Sequence, residues 1–201
     1  MNIDMNSITD PIAHIQQWLD EAEKTESRDP NAMSLATVGA DMLPDIRTVL
    51  LKEIAAEGLY FYTNKGSAKA KELAENPQAA ICLYWKSLNR QVRVRGTVSA
   101  ASNKKSDAYF ATRHPQSQAG AWASRQSQPM ESRETFEKDV KDLLHKYKDD
   151  SAIPRPPHWG GYVIVPLSIE FWQEGEYRLH TRCVFTRNNE DSPWDKAVLY
   201  P

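Results

Sequence analysis

Short runs rich in β-branched and aromatic residues, each closed by Gly, Asn, Asp or Pro, recur along this chain and restrict it to an antiparallel β fold. MSLATVGA, DIRTVLLKEI, GLYFYTN, AAICLYWKS and RQVRVRGTVSA follow one another between residues 33 and 100. Five such strands in sequence predict a barrel or a sandwich. After a helical middle the pattern returns in GYVIVPL, IEFWQ, YRLHTRCVF and KAVLY. With 201 residues and 40% apolar composition, one sizeable core is the expectation, and one domain spans 1–201 with residues 1–9 as a flexible tail.

Helices flank these strands. In DPIAHIQQWLDEAEKT, Asp10 stands at an N-cap, Pro11 at the first helical position, and Ile12, Ile15, Trp18 and Leu19 at helical spacing. GSAKAKELAENP reads as a short helix with Ser67 near its N-cap and Pro77 beyond its end, a helix N-terminus beside a strand end that suits a phosphate. From Lys104 to Lys148 the composition is helical, with breaks at HPQSQ and QSQPM. Phe136, Val140, Leu143 and Leu144 share one face of the last segment, an amphipathic helix expected to pack on a barrel. SAIPRPPHWGG is a proline-rich connection without regular structure.

Charge and motifs exclude several classes of function. Lysine and arginine total 25 against 27 acidic residues, unlike the basic footprint of a nucleic-acid binder, so any anion site is local. No apolar run approaches 18 residues and the first ten residues lack a signal-peptide pattern, which makes the cytoplasm the expected location and a membrane partner unexpected. Cys82 and Cys183 lack metal or redox spacing and read as small hydrophobes; no metal site is expected. There is no GxGxxG after a strand, no Walker loop, no HExxH and no GxSxG.

Basic and polar residues do stand inside strands that otherwise look like core. Arg47 and Lys52 bracket the apolar TVLL, and Gln91, Arg93 and Arg95 alternate along one strand. Arg178, His180 and Arg182 alternate along another, so period two presents three cationic or titratable groups together. Such a face suits an anion, or is the solvated side of a half-exposed sheet; for Gln91, Arg93 and Arg95 the solvated side is the simpler reading. His14, His114, His145 and His158 each stand alone and read as surface or packing residues.

RTVLLK, FYTNKGSAKA, RQVRVRG, QSQAGAWASRQS, HWGGY, IEFWQ and EYRLHTR, in this order and register, resemble the pyridoxamine 5'-phosphate oxidase family from about Asp10 to Pro201. The resemblance implies a mainly β fold with flanking helices, an FMN-binding split β-barrel, assembled as a homodimer with FMN at the subunit interface. Arg47, Thr48, Val49, Leu50, Leu51, Lys52, Tyr62, Thr63, Lys69, Gln91, Gln126, Ser127, Trp172 and Arg182 match positions that hold FMN. Lys52, Tyr109, Arg113 and Ser117 match positions that grip the substrate phosphate, and Arg178 and His180 match the catalytic positions that frame the substrate's reacting end. The implied reaction oxidises pyridoxamine or pyridoxine 5'-phosphate to pyridoxal 5'-phosphate, with dioxygen reduced to hydrogen peroxide.

The residue types suit these roles. A phosphate is satisfied by lysine, arginine, hydroxyls and a helix N-terminus, and a planar ring by tryptophan. Flavin supplies the hydride chemistry and the protein aims the substrate carbon. Three positions depart from the family: Ala68 replaces an arginine that normally helps hold the FMN phosphate, Thr181 replaces a common aspartate, and only nine residues precede Asp10 where a longer basic segment is frequent. The alternatives are a split-barrel flavin reductase with another substrate and a non-catalytic protein that binds FMN or pyridoxal phosphate. The first has no reason to keep Tyr109, Arg113, Ser117, Arg178 and His180 together, and Ala68 alone favours the second.

Overall fold

Alternation of buried and exposed residues builds the core. In β1 (Ala32–Val38), Met33, Leu35 and Thr37 face inward; in β5 (Gln78–Trp85), Ala79, Ile81, Leu83 and Trp85 do so; in β6 (Arg90–Ala100), Val92, Val94 and Val98 do so. Each large apolar side chain buried this way contributes about 1.5–3 kcal/mol. The computed structural model describes residues 4–148 and 152–201.

The remaining strands are β2 (Pro44–Leu50), β3 (Glu53–Ala55), β4 (Gly58–Asn64), β7 (Trp159–Gln173), β8 (Thr181–Thr186) and β9 (Asp195–Leu199). All pairings are antiparallel, in the order β2-β1-β5-β6-β7-β4-β3, with β8 joining β7 to β9. β7 is the spine. β6 runs along one of its edges, while β4 takes the first half of the other edge and β8 the second. This change of partner opens the curled sheet into the split β-barrel expected from the sequence, with helices on its flanks.

The sequence divides GYVIVPL from IEFWQ, but the two form one strand. Pro166 is accommodated at a bulge, where the register with β6 shifts between Arg95 and Gly96, and bulges are where a strand tolerates proline. Conversely, DIRTVLLKEI is one run in the sequence and two strands in the fold. Leu51 turns into the core at 2% exposure, and its backbone N–H and C=O are taken by Asn31.

Helix α1 (Pro11–Ala22) begins as predicted, the Asp10 carboxylate accepting from the Ile12 and Ala13 N–H groups at 2.9 and 3.1 Å. It buries Ile15, Trp18 and Leu19 against the sheet, and the half-buried His14 packs edge-on to Phe171. Where the sequence suggests a flexible tail over 1–9, Met5 and Ile8 are buried in the core, and the Lys196 ammonium donates to the Asn6 and Ile8 carbonyls; residues 1–3 lie outside the described residues.

The helical middle forms α3 (Asn103–Ala111), α4 (Pro115–Ala123) and α5 (Arg133–Lys146), after α2 (Ala68–Glu75) between β4 and β5. The break at HPQSQ is confined to its start, since His114 caps α4 and Pro115 opens it. α5 does not lie on the barrel wall. Val140, Leu143 and Leu144 pack into a second apolar cluster with Phe110, Ala119, Ala121 and Trp159, which covers the outer end of β7.

Candidate functional site

A cavity of about 710 Å³ lies where β2, β4, α2, α3 and α4 meet, within the size range of small-molecule sites. Each element contributes through its local geometry. β2 is an edge strand and presents Arg47, Thr48, Val49 and Leu50; the corner after it presents Lys52. β4 supplies Tyr62 and Thr63, and the first turn of α2 supplies Ala68 and Lys69. Tyr109 and Arg113 come from α3 and its end, Ser117 from α4, and Gln126 and Ser127 from the loop beyond. The structure therefore gathers thirteen residues of the sequence expectation around one space, lined also by Ala68, Asp45, His114 and Trp159.

The chemistry of this space is that of an anion site. Four cations face it: Arg47, Lys52, Lys69 and Arg113. Arg47 is braced by a carboxylate network, pairing with Asp45 and, at 3.0 Å, with Glu72, while Thr37 accepts from its Nη1 and donates to Glu72. Lys69 is 6% exposed; its Nζ lies 3.4 Å from the Thr63 hydroxyl, and burial, then the neighbouring Arg47 charge, lowers its pKa. Desolvated cations of this kind are stabilised by a bound anion. Among the described residues the Arg113 Nη1, on a cavity-lining side chain, is buried without a hydrogen-bond partner, as is the Ser67 hydroxyl at the N-terminus of α2, which does not itself line the cavity.

Polar side chains set the shape of the inner wall. Gln126 Oε1 accepts from the Thr63 hydroxyl at 3.1 Å, and Ser127, held at a φ of 68°, accepts from the Ala68 N–H at 3.2 Å. Burial raises the pKa of Tyr109 and of Tyr62, keeping both phenols protonated and able to donate.

The other expected residues are elsewhere. Leu51 belongs to the core, so its side chain cannot touch a ligand in the cavity. Gln91, Trp172 and Arg182 are register neighbours across β6, β7 and β8, on the face opposite the buried Val92, Phe171 and Cys183. The His180 ring lies 4.7 Å from that of Trp172. On the same face, Glu170 is 7% exposed and accepts from Arg182 Nε and Nη2 at 3.0 and 2.8 Å and from Arg93; the Arg182 Nη1 donates to the Tyr200 carbonyl. Removing the shared carboxylate leaves two guanidinium groups facing each other. Glu170→Ala is expected to cost about 2 kcal/mol in urea unfolding, less than a fully buried pair because both arginines keep some water.

The period-two reading of Arg178, His180 and Arg182 is incorrect. β8 starts only at Thr181; Glu176–Arg178 forms a 3-10 turn in which Tyr177 and Arg178 have φ of 54° and 66°. Arg178 is exposed on this turn, and His180 Nδ1 accepts from the Gly175 N–H at 3.3 Å. The turn, not strand alternation, places these side chains. Trp159, His114 and Asp45 were not among the expected residues; the tryptophan in HWGGY carries no signal that distinguishes it from a core residue.

The β2 edge, the α2 N-terminus and the α3–α4 corner of this split barrel enclose one cavity lined by four cations. Residues 19–147 match the family model described as pyridoxamine 5'-phosphate oxidase, and residues 159–201 match that of the pyridoxine 5'-phosphate oxidase C-terminal dimerisation region. The chain is 48% identical to the pyridoxine/pyridoxamine 5'-phosphate oxidase of Rhodopseudomonas palustris strain HaA2 over 198 residues, covering 98% of this chain and 93% of that one. For its counterpart in Nitrobacter winogradskyi the identity is 51%, covering 98% and 92%.

Among solved structures, PhzG from Burkholderia lata 383, in complex with tetrahydrophenazine-1-carboxylic acid, superposes with a TM-score of 0.93 at 28% identity, covering 100% of this chain and 98% of that one. A pyridoxamine 5'-phosphate oxidase-related, FMN binding protein from Nostoc punctiforme shares the fold at a TM-score of 0.75 and 19% identity, covering 97% and 99%. The chain belongs to the pyridoxamine 5'-phosphate oxidase family and is an oxidoreductase of that family. Its last two strands lie within the family's dimerisation region. No described helix is long and apolar enough to cross a membrane.

Proposed function

We propose that this protein oxidises pyridoxamine 5'-phosphate or pyridoxine 5'-phosphate to pyridoxal 5'-phosphate, using FMN and dioxygen and releasing hydrogen peroxide. The observation that carries this reading is the pairing, in one cavity, of two phosphate-competent groups of residues. Lys69, Arg47, Ser127 and the N-terminus of α2 form one; Lys52, Tyr109, Arg113 and Ser117 form the other. The first suits the FMN phosphate and the second the substrate phosphate. Each charge-assisted hydrogen bond in the second group contributes about 1.5–3 kcal/mol, enough to select phosphorylated over free vitamers.

Bound FMN would accept a hydride from the substrate carbon and pass the electrons to dioxygen. The chain's own residues bind and aim. Lys52 and Arg113 fix the substrate phosphate, Tyr109 and Ser117 donate hydrogen bonds to it, and Arg178 and His180 hold the ring substituents so that the reacting carbon meets the flavin. Gln91, Trp172, Arg182, Arg178 and His180 lie outside the cavity of their own chain, on or beside the dimerisation region. In this reading they complete the cavity of a second copy, giving a homodimer with FMN at the subunit interface.

Ala68 stands at the cavity wall where the family commonly places an arginine. Ala68→Arg is therefore expected to tighten FMN binding about ten- to a hundred-fold, the equivalent of one charge-assisted bond, in a fluorescence-quenching titration. An unchanged affinity would show that Lys69 and Arg47 already saturate the phosphate. The same alanine is the observation behind a second reading, a non-catalytic FMN carrier. Peroxide release decides between the two. FMN-saturated protein supplied with either vitamer phosphate under air should release peroxide and aldehyde in equal amounts, whereas silence with FMN still bound would leave the carrier.

A further inference from the structure

Arg113 is the unusual cation of the cavity, and its support comes from rings instead of carboxylates. Its guanidinium carbon lies 4.8 Å from the centroid of Trp159 and 5.6 Å from that of Phe110. Among the described residues no carboxylate lies within ion-pairing distance of it, and its Nη1 is buried without a partner. Arg47, in contrast, has most of its donors committed to Asp45, Glu72 and Thr37. A carboxylate beside a cation competes with an incoming phosphate, whereas a π face stabilises the cation and leaves its charge and donors available.

Trp159 is well placed to act in this way. It is 6% exposed and opens β7, where it pairs with Asn64 of β4. Tyr62 and Tyr109 lie near-parallel to it at 5.4 and 6.2 Å, and to each other at 4.0 Å, so the tryptophan plane is held within a stack of aromatic rings. Phe110 meets it edge-on at 5.1 Å. Aromatic neighbours therefore hold the indole, and of the two rings beside Arg113 it lies nearer the guanidinium.

We infer that Trp159 is a positioning residue for phosphate selection: its indole face holds the Arg113 guanidinium charged, desolvated and uncompensated, with a free donor for the substrate phosphate. This rests on the assignment of Arg113 to the substrate phosphate proposed above. It predicts that phosphate recognition, and not the binding of the vitamer ring or of FMN, depends on the indole.

The test titrates FMN-loaded protein with pyridoxal 5'-phosphate and, separately, with pyridoxal, and takes the ratio of the two affinities. Trp159→Met, which keeps an apolar side chain but removes the π face, should lower that ratio about three- to thirty-fold. Trp159→Phe, which restores a face, should recover most of the ratio. Arg113→Ala should lower it about ten- to a hundred-fold, and adding Trp159→Met to Arg113→Ala should lower it no further. If Arg113→Ala lowers the ratio and Trp159→Met does not, the role of Trp159 is overturned. If Arg113→Ala itself leaves the ratio intact, the assignment of Arg113 to the substrate phosphate falls first. A Trp159→Met protein that loses pyridoxal and pyridoxal 5'-phosphate affinity equally would show a structural role only, and would also overturn the inference.

Discussion

An Arg178→Ala protein should keep its flavin and lose turnover about a hundred-fold or more. Arg178 is exposed on a 3-10 turn, lines no part of its own chain's cavity and makes no ion pair with the described residues, so its removal leaves the FMN-phosphate group and the core untouched. Its assigned task is to hold the reacting end of the substrate. An error near 1 Å at that point costs about two orders of magnitude. The check is paired: FMN content of the purified protein by absorbance, and single-turnover reduction of the flavin under anaerobic conditions. A variant that purifies without FMN would count against the assignment and place Arg178 with the cofactor groups. Because Arg178 itself has a φ of 66°, Arg178→Asn or Arg178→Gly serves as a control that tolerates the same backbone.

The largest expected loss of stability is at Gly58, the first residue of β4. Its φ is 148°, a region closed to residues with a Cβ, and an added Cβ would overlap the Ile164 carbonyl on β7. No flexible side chain can yield there, because the obstacle is backbone in the central strand. Backbone strain and overpacking together put Gly58→Ala at about 4 kcal/mol. Chemical denaturation would measure it. β4 carries Tyr62 and Thr63, and the Lys52 N–H donates to the Tyr60 carbonyl at 2.8 Å, so the same substitution should also weaken FMN retention. A midpoint within 1 kcal/mol of the parent would mean that the hairpin relaxes away from β7.

Most of the barrel was legible because its strands are half-buried and alternate cleanly; β1, β5 and β6 could be placed from hydrophobic period alone. Two strand boundaries were not. Pro166 looks like a terminator, and only the bulge opposite Gly96 lets β7 continue through it, a fact that belongs to the partner strand. The Arg178, His180 and Arg182 alternation imitates a strand, although Gly175 just before it was an available turn signal. Met5 and Ile8 are too few and too isolated to show a period, so their burial is visible only once β8 and β9 exist to receive them.

The site was legible in a different sense. Residue by residue, the expected cofactor and substrate positions came from family resemblance, and most of them line one cavity. What the sequence could not convey is which side chains support them. Glu72 and Thr37 brace Arg47 from another helix and strand, Glu170 joins Arg93 to Arg182 across three strands, and Trp159 lies under Arg113. These contacts are made between segments far apart in the chain, where local pattern carries no information.

The length of β7 has a consequence for assembly. Trp159 at its start lines the cavity, and Trp172 near its end sits among Gln91, His180 and Arg182; at about 3.3 Å per residue the two indoles are roughly 40 Å apart along the strand. A mononucleotide is far shorter than that. Gln91, Trp172 and Arg182 do not line the cavity of their own chain, so in the proposed reading, where both groups hold the same cofactor, each copy is a donor to its neighbour's reaction. Dilution below the dissociation point would then extinguish activity in chains that are still folded.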